Sequence, residues 1–236
     1  MSLNAREVPS SGGGGDRVQQ AALPADLYPA RVVQVVDLGL QPRKPYKGQP
    51  KDPMHHIRIT YELSDEYMKD EEGNDREDMP RWLSEKMPFY NIGAEKATST
   101  IRMKAIDAGG VTGDDFTELV GMPCQLVVIT APHPQYAGQE INYVDGVTGP
   151  VKVKGYEQPE LVNPTTVFLL DEPDMEVWET LPEFLQKLIQ SNLEFNGSKL
   201  QGVLGAPDNK VESTSLPAPE AAAPPAPPAP PAPAAP

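Results

Sequence analysis

The sequence predicts a mainly β fold: a small five-stranded barrel with one helix inserted after the third strand, a C-terminal amphipathic helix, and disordered segments at both ends. Three observations carry that prediction. Five short segments rich in β-branched or strictly alternating residues fall within about 120 residues, separated by Gly- and Pro-rich turns. A single helix-compatible stretch interrupts them. The 28 prolines and 19 glycines are unevenly placed, and residues 217–236 hold ten Pro, nine Ala and one charge, Glu220, which leaves almost nothing to bury there.

Residues 1–21 are polar, contain four consecutive glycines at Gly12 to Gly15, and read as a disordered arm. The first strand spans Tyr28 to Leu40, where valines dominate. Gln41 to Pro53 (QPRKPYKGQPKDP) then carries four prolines and a glycine, which predicts an extended loop outside any ladder. Met54 to Leu63 alternates, with Ile57, Ile59, Tyr61 and Leu63 on one face and His56, Arg58, Thr60 and Glu62 on the other. An acidic hairpin tip over 64–79 leads into a third strand, Arg81 to Phe89. Ala94 to Ile106 is compatible with a helix, and Asp114 to Val120 with one further turn. Gly121 to Ala131 and Glu140 to Val147 are strand-like again, joined by the loop PHPQYAG.

Five strands and one inserted helix in this length suit a closed barrel of the OB-fold type, which removes exposed edges by closure; an open β-sandwich is the competing architecture. Beyond Pro150 periodicity is lost until Thr180 to Phe195. There Leu181, Phe184, Leu185, Leu188, Ile189 and Leu193 recur at spacings of three and four, and Thr180 with Glu183 predicts a capping box. The helix should end before Gly197 or Gly202. Its apolar face either packs on the barrel or docks a partner. The organisation read from the chain is an arm (1–21), an OB-fold-like domain (22–156), an acidic extension with the amphipathic helix (157–204) and a Pro/Ala-rich tail (205–236).

Catalysis finds no foothold. GxGxxG, Walker-type, HExxH, GxSxG and CxxC motifs are all absent, so the expectation is a non-enzyme without a cofactor. The single cysteine, Cys124, sits in an apolar strand and reads as a buried inert thiol. His55 and His56 are adjacent strand residues facing opposite ways, a poor metal pair. The acids at Asp70, Glu71, Glu72, Asp75, Glu77 and Asp78 read as a solvated charge run. There is no apolar run long enough for a membrane span and no secretory signal, so the expected location is the cytoplasm.

The formal net charge of -14 argues at first against a polyanionic partner, but the charge is polarised. Arg43, Lys44, Lys47, Lys51 and Arg58 stand against Asp52 alone, whereas ten acids meet three bases over 62–85 and eight acids meet none over 157–183. Single-stranded nucleic acid is held by cations along its backbone and aromatic faces beneath its bases. The basic loop supplies that mixture around Tyr46. Arg58 and Trp82 on neighbouring strands, with Lys104, Tyr136 and Tyr143 from elsewhere, complete the candidate set; Trp82 and Tyr143 also fit as core residues.

The segments YPARVVQVVDLGLQP, ITYEL, PRWLSEKMPF and ELVGMPCQLVV, in that order, resemble a family of phage-encoded single-stranded DNA-binding proteins with an OB-fold core. The resemblance spans roughly Leu27 to Val153. It implies a non-catalytic protein that coats single strands in replication or recombination, largely without regard to sequence, in the cytoplasm of an infected host cell. Such proteins commonly end in an acidic recruitment tip, whereas here the chain ends in Pro and Ala. The acids lie inward at Asp171, Glu172, Asp174, Glu176 and Glu179 around Trp178, so contacts with replication or recombination proteins would run through the acidic segment and helix 180–195. A phage structural or assembly protein using helix and tail for protein contacts is the alternative, and an acidic DNA mimic a third reading.

Overall fold

The computed structural model describes residues 20–134, 137–207 and 209. The disorder read for the arm and the tail therefore falls almost entirely outside the described residues. Five strands make one curled antiparallel sheet, a half-barrel in the order β3-β2-β1-β4-β5: β1 (Asp26–Tyr46), β2 (Gln49–Lys69), β3 (Asp75–Pro88), β4 (Pro123–Pro132) and β5 (Glu140–Thr148). The curl brings β3 and β5 close, and α1 (Thr98–Ile106), which follows β3 in the chain, packs against both.

Inside the curl, Val32 and Val35 of β1, Ile57, Ile59, Tyr61 and Leu63 of β2, and Leu126 and Val128 of β4 form one buried cluster. Met103 and Ile106 of α1, with Phe116 and Leu119 of a single 3-10 turn, cover its end. Burying each large aliphatic side chain contributes about 1.5–3 kcal/mol, and the alternation of β2 places three of them, together with Tyr61, inside, as its sequence predicts.

β1 does not alternate, because it is buried on both faces. The register shift between Val32 and Gln34 lets Val32 and Val35, three residues apart, share the inner face, while Val36 and Leu38 point outward. A second core covers these two: Phe168, Trp178, Leu181, Leu185, Ile189, Phe195 and Leu200. It is built from β6 (Thr166–Phe168), which pairs parallel with Gln34 to Val36 along the edge that β4 leaves after Arg31, and from α2 (Met175–Thr180), α3 (Glu183–Gln190) and α4 (Lys199–Leu204).

Two local expectations are corrected. Gln41 to Pro53 is not a loop: β1 and β2 continue through it as a two-stranded ribbon, with Arg43 opposite Lys51 and Tyr46 opposite Gln49. The turn residues Lys47 and Gly48 both have positive φ, +52° and +77°, as a tight two-residue hairpin requires. Four prolines are tolerated because no third strand flanks the ribbon: β3 reaches β2 only at His56, β4 and β6 leave β1 by Val36, and register shifts bracket Arg43.

The helix predicted over 180–195 is shorter than expected: only α3 is helical there, and Leu181-Pro182 separates it from α2, which ends at Thr180. Pro182 has no N–H to donate and serves as the N-cap of α3. The Thr180–Glu183 capping box does not form, since Thr180 Oγ1 donates instead to the Val177 carbonyl at 2.7 Å. α3 ends at Ser191, well before Gly197, and Gly202 lies within α4. Of the predicted apolar face, Leu181, Leu185 and Ile189 pack on β1, while Phe184 is 60% exposed.

Candidate nucleic-acid interface

The ribbon carries four cations and one aromatic ring, and two of the cations lie against that ring. Lys51 Nζ lies 4.6 Å and Lys47 Nζ 5.4 Å from the centroid of Tyr46, which is 58% exposed; Arg43 sits across the ladder from Lys51, and Lys44 is exposed on the same strand. Among the described residues none of these four cations has a carboxylate partner within salt-bridge distance. Two ammonium groups on a tyrosine face leave its electron-rich ring polarised and its cations desolvated on one side.

From the ribbon the positive surface continues down the outer face of β2 and β3. Register pairs Arg58 with Lys86, Thr60 with Ser84, and Glu62 with Trp82. His56, two residues before Arg58 on the same face, is held below its ordinary pKa chiefly by burial and further by the charges of Lys86 and Arg43. Lys86 was not among the residues singled out from sequence. Its signal is the alternation Trp82, Ser84, Lys86, which shares a face with Arg58 once the β2–β3 register is known.

Arg58 is half-buried, and its guanidinium carbon lies 5.6 Å from the centroid of Phe184 on α3. Trp82 is 46% exposed, hence not core, and its Nε1 donates to Glu62 Oε2 at 3.2 Å. Glu62 is itself buried and also accepts from Val162 N at 2.6 Å and Asn163 Nδ2 at 2.7 Å, so the segment leading into β6 is pinned beside Trp82. A polar line, Ser84 Oγ to Thr60 Oγ1 (3.0 Å) and Gln34 Nε2 to Thr166 Oγ1 (3.0 Å), ties the same face to β6.

The remaining predicted residues are not gathered here. Lys104 is on α1, 3.9 Å from Glu95. Tyr143 is on β5 opposite Ile129, exposed rather than core at 42%, but two strands beyond β1 in the sheet order from the side that carries β2. Tyr136 lies outside the described residues.

The acids are elsewhere. The turn joining β2 to β3 is organised by Asp70, which accepts from the backbone N–H groups of Glu72 and Asn74 at 2.9 and 2.8 Å; those hydrogen bonds hold its carboxyl below the ordinary range. β2 thus carries the basic ribbon at one end and the acidic turn at the other. His55 faces the opposite way from His56 and bonds Asp37 at 2.5 Å, while His56 Nδ1 approaches the Met54 carbonyl at 2.8 Å. Burial pushes the Cys124 thiol up to about 12, which keeps it protonated and unreactive.

Compared with family models, curated proteins and solved structures, the chain matches none of them.

Proposed function

We propose that this protein binds single-stranded DNA without catalysis and largely without regard to sequence, on the ribbon and the outer β2–β3 face of an OB-fold-type barrel. The observation that carries the reading is the projecting ribbon, on which Lys47 and Lys51 lie against Tyr46 beside Arg43 and Lys44, with Asp52 its single acid and, among the described residues, no carboxylate within salt-bridge distance of the four cations. Strand order supports the OB assignment: a curled sheet in the order β3-β2-β1-β4-β5, β5 returning beside β3, and a helix between β3 and β4. In that fold the second and third strands, with the β1–β2 and β4–β5 connections, take up oligonucleotides. The ribbon is the β1–β2 connection.

Acidic surface at the far end of β2 and on the helical extension repels phosphate and confines the strand to the basic strip. On this reading the protein coats single strands during replication or recombination of a phage genome in the host cytoplasm, and the acidic segment near α2 and α3 is the surface offered to replication or recombination proteins.

The test is a salt titration of binding to labelled oligothymidine. Neutralising about four phosphates, with a slope near -0.7 for each, lowers affinity about fifty-fold between 50 and 200 mM salt. Binding that ignores salt, or that prefers duplex to single strand, would overturn the proposal.

A further inference from the structure

We propose that the helical extension supplies part of the DNA-binding surface itself, with Phe184 of α3 acting as a base-stacking platform above Arg58. This rests on the single-strand-binding reading and adds a contact that lies outside the barrel.

Phe184 belongs to an apolar repeat of which Leu181, Leu185 and Ile189 are buried on β1 and Leu188 and Leu193 are half-buried, yet its own ring stands 60% in solvent. A singly exposed apolar side chain is ordinary on a protein surface, so the ring draws its meaning from what lies against it. Its position explains the exception. α3 lies over Val36, and Val36 is the register partner of Arg58, so Phe184 overhangs the next strand, β2. The guanidinium of Arg58 lies over the ring, with Lys86 beside it on β3.

Arg58 is half-buried and, among the described residues, has no carboxylate within salt-bridge distance. A cation taken partly out of water without an anion is costly, and a phosphate is the group that relieves that cost. An exposed ring carrying a guanidinium against it, next to a second free ammonium, is the pairing of base platform and phosphate contact that single strands use. α3 is held in place to offer it: Gln41 Nε2, at the root of the ribbon, donates to the Leu188 carbonyl at 3.2 Å, and Leu193 N donates to the Leu40 carbonyl at 2.9 Å. The ribbon and Phe184 therefore stand on a shared base and bracket the β2–β3 shelf, with Trp82 at its far end.

The experiment compares wild type, F184A, F184L, F184W and R58A for oligothymidine binding across salt concentrations, with thermal unfolding alongside. Loss of one stack lowers affinity by about 5- to 160-fold. F184A and F184L are expected to fall in that range with the salt slope of wild type, F184W to bind like wild type, and R58A to lose about 0.7 from the slope. F184L retains apolar packing, so its loss cannot come from unfolding.

Wild-type affinity in F184L, while a K44A/K47A/K51A variant loses binding, would overturn the stacking role and leave the barrel as the binder. A shallower slope in F184L would also overturn it, since the ring would then act only by positioning Arg58. If wild type itself fails to bind oligothymidine, both proposals fall together.

Discussion

Arg102 of α1 and Glu85 of β3 form a buried ion pair: Nε and Nη2 donate to the two carboxylate oxygens at 2.9 and 3.1 Å, both side chains almost wholly out of water. Tyr61 of β2 donates its hydroxyl to Glu85 Oε1 at 2.8 Å, and Arg102 Nη2 reaches the Asp145 carbonyl of β5 at 3.1 Å. The helix thus links the two strands that the sheet ladder leaves unjoined. Burial, reinforced by Glu85, holds the Tyr61 hydroxyl well above its ordinary pKa, so it stays a donor.

Replacing Arg102 by Met leaves Glu85 charged in the interior with a single hydroxyl donor. Stability should fall by about 3–5 kcal/mol, the range for removing one partner of a buried pair. Urea unfolding measures it. A loss below about 1 kcal/mol would mean that water reaches Glu85 and that α1 does not seal the gap between β3 and β5.

Gly39 is a point of close approach between β1 and the extension. A Cβ there would stand 2.8 Å from Asn192 Cγ and 2.8 Å from Leu170 Cδ1, and φ is +69°. Gly39→Ala should cost at least about 1–2 kcal/mol from the left-handed backbone alone. Hydrogen exchange should quicken over 181–204 while β4 and β5 keep their protection. Unchanged exchange over 181–204 would show that the contact yields without loosening the helices.

The two histidines at the ribbon's root should oppose one another as pH changes. His55 is raised above its ordinary pKa by the hydrogen bond to Asp37, with Glu194 and Asp171 nearby adding to it against the effect of burial. Its contribution to stability is therefore complete below about 6.5 and is lost as pH rises through the raised value. His56 is lowered, chiefly by burial, so its contribution is present above about 6.5 and is lost as pH falls through the lowered value. Denaturant midpoints at pH 5.5 and 8.5 separate them: the stability gap between wild type and H55Q should shrink with rising pH, and that for H56Q should widen. Parallel curves for both variants would contradict the assignment.

The chain's two tryptophans report on different places. Trp82 is exposed on the proposed shelf, and Trp178 is buried with its ring 5.5 Å from that of Phe168. Oligothymidine should quench emission in wild type and leave W82F nearly unchanged. Quenching that survives in W82F would remove Trp82 from the interface.

Much of the half-barrel could be read in advance because β2 alternates and β1 is a valine-rich run. Ile57, Ile59, Tyr61 and Leu63 face the core as their spacing says, and α1 falls within the stretch read as helical. The ribbon was hidden because proline excludes a residue from a ladder only where the ladder needs its N–H, and a two-stranded ribbon has open outer edges. β6 has three residues and owes its existence to a vacant edge on β1, a property of the partner rather than of Thr166 to Phe168. Lys86 and Phe184 were missed for a related reason. Each acquires meaning from what lies opposite it, Arg58 in both cases.

β1 also sets a timetable. Val36 and Leu38 are completed only by residues from Phe168 to Leu200, contacts far apart in the chain and hence slow to form. At about 5–20 residues per second, a ribosome exposes Leu38 for about 8–30 s before Leu200 is made. For that interval the nascent protein carries an apolar central strand with one side uncovered. Its folding in the cell is governed by how that side is shielded until the last helix arrives.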